Sequence, residues 1–180
     1  MGRMIPGSVI PVSCLIVMIA SCALAQGGSD LSLAINEVMA SNSETKADPQ
    51  GQYDDWIELY NYGTAPIDAG GLYLTDDPNE PAKWQIPADD PAVTTIAPGG
   101  YLLIWADGET EAEGLHAAFK LDAAGEGLCL FDFDGATLID IVTFPQLPTD
   151  LSYGRWPDAG DQWQFFVAAT PGAANQEGYA

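Results

Sequence analysis

Asp55-Trp56-Ile57-Glu58-Leu59-Tyr60-Asn61 reads as a β-strand, because its apolar and polar side chains separate with a period of two. In an extended chain Trp56, Glu58 and Tyr60 share one face and Ile57 and Leu59 the other. One face is inside, and the other meets either water or a neighbouring loop. Working outward, Leu31 to Met39, Leu72 to Leu74, Tyr101 to Trp105, Leu128 to Phe131, Leu138 to Phe144 and Trp163 to Val167 are similar short runs of aliphatic and aromatic residues. Each is bounded by Gly, Pro, Asn or Asp, and no long segment has a 3.6-residue period. This pattern predicts an all-β fold, an antiparallel sandwich or barrel. Pro98-Gly99-Gly100 and Asp134-Gly135 carry turn chemistry, Pro fixing φ and Gly accepting positive φ. The alanine-rich stretch Leu115 to Leu121 is long enough for one helical turn, but Gly114 and Gly125 bracket it closely.

The chain does not begin like a folded domain. Arg3 precedes an almost wholly apolar Val9 to Leu24, and Ala23-Leu24-Ala25 has the small-x-small pattern of a signal-peptidase site. Residues 1–25 are therefore expected to be an export signal cleaved after Ala25; Pro11 and the small-residue end make a poor permanent membrane span. Ile19-Ala20-Ser21-Cys22 resembles a lipobox, so lipidation at Cys22 is the alternative. Removing 25 of the 180 residues leaves 155, enough for one domain. Residues 26–30 read as a flexible leader, 31–175 as the domain and 176–180 as a frayed tail.

With 26 acidic against 5 basic residues the net charge is −21, which excludes non-specific binding to a phosphate backbone. Cys14 and Cys22 fall in the signal, so the mature domain holds Cys129 and forms no internal disulfide. The run Leu128-Cys129-Leu130-Phe131 places that thiol as a small buried hydrophobe.

Asp55 and Glu58 suggest a paired-carboxylate site. Three apart in a strand, they point to opposite faces and cannot share a proton or substrate. Their expected role is structural, bonding loop amides or Arg155, whose guanidinium needs a carboxylate partner if buried. His116 is the one histidine, and the chain has no Gly-x-Ser-x-Gly elbow, so a surface or rim histidine is expected in place of a Ser-His-Asp catalyst. One His and one mature Cys make a poor zinc set. Calcium is the candidate cofactor, with Asp76, Asp77, Asp132 and Asp134 as loop oxygen ligands, although no EF-hand pattern is present and an acidic surface needs no metal. Trp84, Trp105, Trp156 and Trp163 would stack on sugars if exposed together, but in alternating strands they belong to the core.

The order of motifs says more than any one of them. Ile35-Asn36-Glu37-Val38, the Asp55–Asn61 strand, Leu74-Thr75-Asp76-Asp77 and Lys83-Trp84 to Pro87 follow one another at loop-sized gaps. Pro98-Gly99-Gly100-Tyr101-Leu102 with Trp105-Ala106-Asp107, Leu115-His116 to Phe119-Lys120-Leu121, Ser152-Tyr153-Gly154-Arg155, and Thr170-Pro171-Gly172 to Asn175 complete the series. From near residue 31 to near 175 this resembles a bacterial lamin tail domain. The resemblance implies an immunoglobulin-like antiparallel β-sandwich used as an interaction module, often attached to secreted or surface proteins that carry an enzyme elsewhere. The expected role is a secreted or cell-envelope binding or scaffolding module without catalysis, whose partner is a protein or envelope component. It would touch the membrane only if lipidated at Cys22. The alternative is an accessory domain of a hydrolytic system or a small secreted hydrolase, calcium-dependent in one form.

Overall fold

The computed structural model describes residues 30–178. The export signal, Ala25, Cys22 and most of the leader lie outside the described residues. The strands are β1 (Leu33–Met39), β2 (Trp56–Asn61), β3 (Ile67–Asp68), β4 (Tyr73–Thr75), β5 (Trp84–Gln85), β6 (Thr95–Ile96), β7 (Tyr101–Ala106), β8 (His116–Ala117), β9 (Gly127–Phe131), β10 (Leu138–Thr143), β11 (Ser152–Arg155) and β12 (Trp163–Phe166). A single helical turn, α1 (Pro91–Thr94), precedes β6; Asp90 caps it by accepting from the Ala92 N–H at 3.1 Å, and Pro91 supplies its first residue.

The strands form a six-stranded sheet in the order β12-β11-β1-β2-β7-β8, a four-stranded sheet β10-β9-β4-β5, and a small β3-β6 pair. Pairing is antiparallel except between β7 and β8, where Trp105 lies opposite His116 and Ala106 opposite Ala117. Of the glycine-bracketed stretch Leu115–Leu121, His116–Ala117 is thus a strand. The Trp105 N–H donates to the Leu115 carbonyl at 2.8 Å and the Gly108 N–H to the Ala117 carbonyl at 3.0 Å, and these edge bonds outweigh the helical propensity of the alanines.

A bulge at Asn36 shapes the centre of the fold. Ile35 lies opposite Leu59 and Glu37 opposite Glu58, so Asn36 is an extra residue and the inward parity of β1 changes there. Leu33 and Ile35 face the core before it, Val38 and Ala40 after it. They meet Ile57 and Leu59 of β2, Leu74 of β4, Ile104 of β7 and Leu128 and Leu130 of β9, all with essentially no exposure. Each such side chain contributes about 1.5–3 kcal/mol by leaving water.

The opposite face of the six-stranded sheet is also covered. Met39, Trp56 and Trp105 pack there with Leu103 and Ala169, the last of these from the chain beyond β12. Of the two options left open for the Trp56, Glu58 and Tyr60 face, a neighbouring segment covers Trp56 and Glu58. Trp84 and Trp105 are buried, and Trp163 is half-buried with its ring stacked on Tyr153 at 5.3 Å. Gln176 and Glu177 are exposed, and Gly178 lies against Phe165 and Phe166.

Candidate functional site

Two buried polar clusters occupy the six-stranded sheet. The first lies where β1 and β2 meet the C-terminal segment. Glu37 and Glu58 sit opposite each other in the register, both fully buried on the outer face. The Gly172 N–H donates to Glu58 Oε2 at 2.6 Å, and the Asn36 amide donates to Glu58 Oε1 at 3.2 Å. Glu37 takes the Ser152 hydroxyl on Oε1, and its Oε2 lies 2.9 Å from the Thr170 hydroxyl and 3.2 Å from the Thr170 N–H. Asp158 joins them by accepting from the Asn36 amide at 3.1 Å, the Asn175 N–H at 3.0 Å and the Tyr101 hydroxyl at 2.7 Å.

Burial, reinforced by the like charges of Glu37 and Asp158, pushes Glu58 up to about 8 against the opposing pull of its donors. Glu37 is pushed up for the same leading reason, and Tyr101 is raised by burial and by donating to Asp158. The cluster ties residues 170–175 to the sheet and keeps the Glu37 and Glu58 carboxyls away from solvent. Glu58 does bond a loop amide, as expected, and so does Asp55, which accepts from the Asn42 N–H at 3.2 Å. Burial raises Asp55 to about 6.

Neither Asp55 nor Glu58 pairs with Arg155, and that expectation is corrected: its partner is Asp140, at 2.9 and 3.0 Å. The guanidinium also donates to the Ile35 carbonyl at 2.9 Å and the Gly160 carbonyl at 2.7 Å, and it lies 4.7 Å from the Trp163 ring centre. Asp140 in turn accepts from the Ile35 N–H at 2.8 Å, beside the Asn36 bulge. Asp140 sits at a register shift of its own strand, which turns a carboxylate toward the opposite sheet that no simple alternation places there.

The second cluster is at the far edge of the sheet. His116 is 3% exposed, which corrects the expectation of a surface or rim histidine. Its Nδ1 lies 2.6 Å from Asp107 Oδ2 and its Nε2 lies 3.1 Å from the Glu113 carbonyl. The parallel β7–β8 pairing brings them together, since Asp107 follows the last residue of β7 and His116 opens β8. Gly114, at φ +115°, makes room for the ring: a Cβ there would stand 3.3 Å from Nε2.

A tight turn over residues 48–52 closes over this pair. Asp48 Oδ1 accepts the Gln52 N–H at 2.6 Å and the Asp48 N–H donates to the Gln52 carbonyl at 2.8 Å, while the Gln50 amide bonds the Glu113 carbonyl at 3.0 Å. One ligand atom from each of Asp48, Asp107 and His116 lies within 4.8 Å of the other two, and all three residues are buried. Asp54 feels this group: burial first, then the charges of Asp107, Asp48 and Glu109, push its carboxyl up. Asp48 Oδ2 and Asp54 Oδ2 are buried with no hydrogen-bond partner.

The acidic residues singled out for calcium do not gather in that way. Asp76 pairs with Lys83 at 2.6 Å, and Asp77 Oδ1 accepts from the Asn79 N–H and side-chain amide, both at 2.9 Å. Asp132 Oδ1 accepts from the Phe133 N–H at 2.7 Å, and Asp134 caps its turn by accepting from the N–H groups of Ala136 and Thr137 at 2.9 and 2.8 Å. Asp107 stood in a motif read for its order alone, and counting only His and Cys concealed the carboxylates around His116.

Two facing sheets braced by internal carboxylates define an all-β, immunoglobulin-like sandwich. The model of the lamin tail domain family matches residues 28–146, and the chain belongs to that family. β11, β12 and the segment that docks on Glu37 and Glu58 follow the matched region, yet they complete the same sheet. The chain matches no curated protein and no solved structure.

Proposed function

We propose that this lamin tail domain is a non-catalytic binding or scaffolding module that works outside the cytoplasm. The observation that carries the reading is where the chemically capable side chains point. Glu37 and Glu58 face the C-terminal segment and accept its N–H and O–H groups. Both ring nitrogens of His116 meet oxygen acceptors, Asp107 and the Glu113 carbonyl, leaving neither to activate a hydroxyl nucleophile. Three surface depressions are lined as follows: one by Leu31, Gly63, Pro66 and Ile67, another by Pro87, Val93, Gly114 and Leu115, beside but not reaching the His116 side chain, and a third by Phe166, Val167 and Glu177. None of these three is lined by His116, Glu37 or Glu58.

The apolar stretch before Ala25 supports export, and the net charge of −21 favours partners that are neutral or cationic. The test has two arms. Expressed in full, the chain should leave the cytoplasm and begin at Gln26, or at a lipid-modified Cys22. The purified domain should turn over no ester, glycoside or phosphoester above the His116→Ala background, while cross-linking to envelope fractions yields a saturable partner. Turnover abolished by His116→Ala would sink the reading in favour of the hydrolase.

A further inference from the structure

We infer that Asp48, Asp107 and His116 form a buried structural site for a divalent cation of the zinc or manganese class. The geometry around the imidazole points to a cation. Nε2 lies 3.1 Å from a carbonyl, which can only accept, so the ring proton belongs on Nε2. That leaves Nδ1 presenting a lone pair to Asp107 Oδ2 at 2.6 Å, two electron-rich atoms in contact. At 2.6 Å a second proton holds them together, and a metal ion would take that proton's place only as the two atoms open to accommodate it.

Asp48 distinguishes the two. A proton shared by Nδ1 and Asp107 does nothing for Asp48 Oδ2, which is buried beside them in a residue 6% exposed and has no donor. A buried carboxylate oxygen without a partner is costly. Asp54 Oδ2, equally without a partner, adds to the surplus of acceptors. A divalent ion held by Asp48, Asp107 and His116 would satisfy Asp48 and offset the negative charge that Asp54 faces.

The surroundings have the form of a metal site's outer shell. A ligating histidine usually donates its other N–H to a carbonyl or carboxylate, as Nε2 does to Glu113, and the ligating carboxylates are themselves hydrogen-bonded. Asp48 Oδ1 is held by the Gln52 N–H at 2.6 Å and Asp107 Oδ1 by the Glu109 N–H at 2.8 Å. Zinc ligands stand about 2.0–2.2 Å from the ion and so about 3.3–3.6 Å from one another in a tetrahedral shell; Nδ1 and Asp107 Oδ2 would open from 2.6 Å, and Asp48 would close from within 4.8 Å. One imidazole with carboxylates suits zinc or manganese better than calcium, which prefers an all-oxygen shell. Buried as it is, the ion would pin the 48–52 turn to the β7–β8 edge and would not meet a substrate.

The experiment uses the exported chain, stripped with EDTA and dialysed. Stoichiometric Zn²⁺ or Mn²⁺ should raise Tm by several degrees, with Ca²⁺ much weaker. Asp48→Asn retains an acceptor for the Gln52 N–H and removes the ligand charge, so it should weaken Zn²⁺ binding at least 10–100-fold, the loss seen when even an outer-shell partner is removed. Asp134→Asn, in an exposed turn, should bind like the wild type and exclude general adsorption to an acidic surface. His116 is the one histidine, so its ring ¹⁵N resonances are unambiguous, and Zn²⁺ should move Nδ1 to the metal-bound range. A ring unaffected by Zn²⁺, or binding that Asp48→Asn leaves intact, overturns the proposal and assigns the contact to a shared proton.

Discussion

Arg155 of β11 and Asp140 of β10 form an ion pair, at 2.9 and 3.0 Å, that joins the six-stranded sheet to the four-stranded one. Their side chains are 11% and 16% exposed, so the pair is largely desolvated. Removing one member leaves the other charge buried and unmatched. Arg155→Met should lower unfolding stability by about 3 kcal/mol, the lower end of the range for buried pairs because some exposure remains. Urea denaturation measures it, and an unchanged midpoint rejects the role.

Stability should fall as pH rises from about 5 to about 8.5. Glu58 is pushed up to about 8 in the fold, from about 4.5 when unfolded, so the native state holds a proton that the unfolded state releases in that window. Glu37 and Asp55 are raised as well and act with the same sign. Carboxyls held low, such as Asp150 with its Ser43 and Glu44 donors, act only in acid, where their contribution is lost as pH falls. Thermal melts at pH 5 and 8.5 should show the lower Tm at 8.5. Glu58→Gln, which keeps an acceptor for Gly172, should flatten the slope; an equally steep slope in that variant contradicts the assignment.

Deleting residues 168–180 should destabilise the domain by about 3 kcal/mol or more, from the lost hydrogen bonds to two buried carboxylates. Ala169 also covers the patch of Met39, Trp56 and Trp105. Tryptophan emission should therefore shift to the red before global unfolding. Wild-type emission and an unaltered Tm in the truncated chain would mean that the segment does not brace the sheet.

Two glycines should respond differently to alanine. Gly99 has φ +71° with nothing within 4 Å of an added Cβ, so Gly99→Ala should cost about 1 kcal/mol from backbone strain. Gly125 has φ +101°, and its Cβ would stand 2.8 Å from the Phe144 carbonyl oxygen. Gly125→Ala should cost at least twice as much, and equal denaturation midpoints would refute the difference.

The strands were legible because each alternating run is a local signal. Asp55–Asn61 disclosed its two faces, and Pro98-Gly99-Gly100 and Asp134-Gly135 disclosed their turns, with Gly99 and Gly135 at φ +71° and +63°. The motif order also carried the family. The Asn36 bulge was not legible, since a parity change depends on the register with β2. Nor was the strand at His116–Ala117 legible, because the β7 edge decides that segment.

Which carboxylate meets which partner required the tertiary structure. Arg155 is 15 residues from Asp140 and 97 from Glu58, and neither spacing discloses that two sheets place the first pair in contact. Asp48, Asp107 and His116 converge because a turn, a strand end and a parallel edge pairing meet in space. The sequence by itself determined strands, turns, charge and family, which follow from periodicity, φ preferences and composition along the chain. The internal wiring of ionisable groups was decided by the fold, because burial and pairing are properties of three-dimensional neighbours that separation along the chain does not encode.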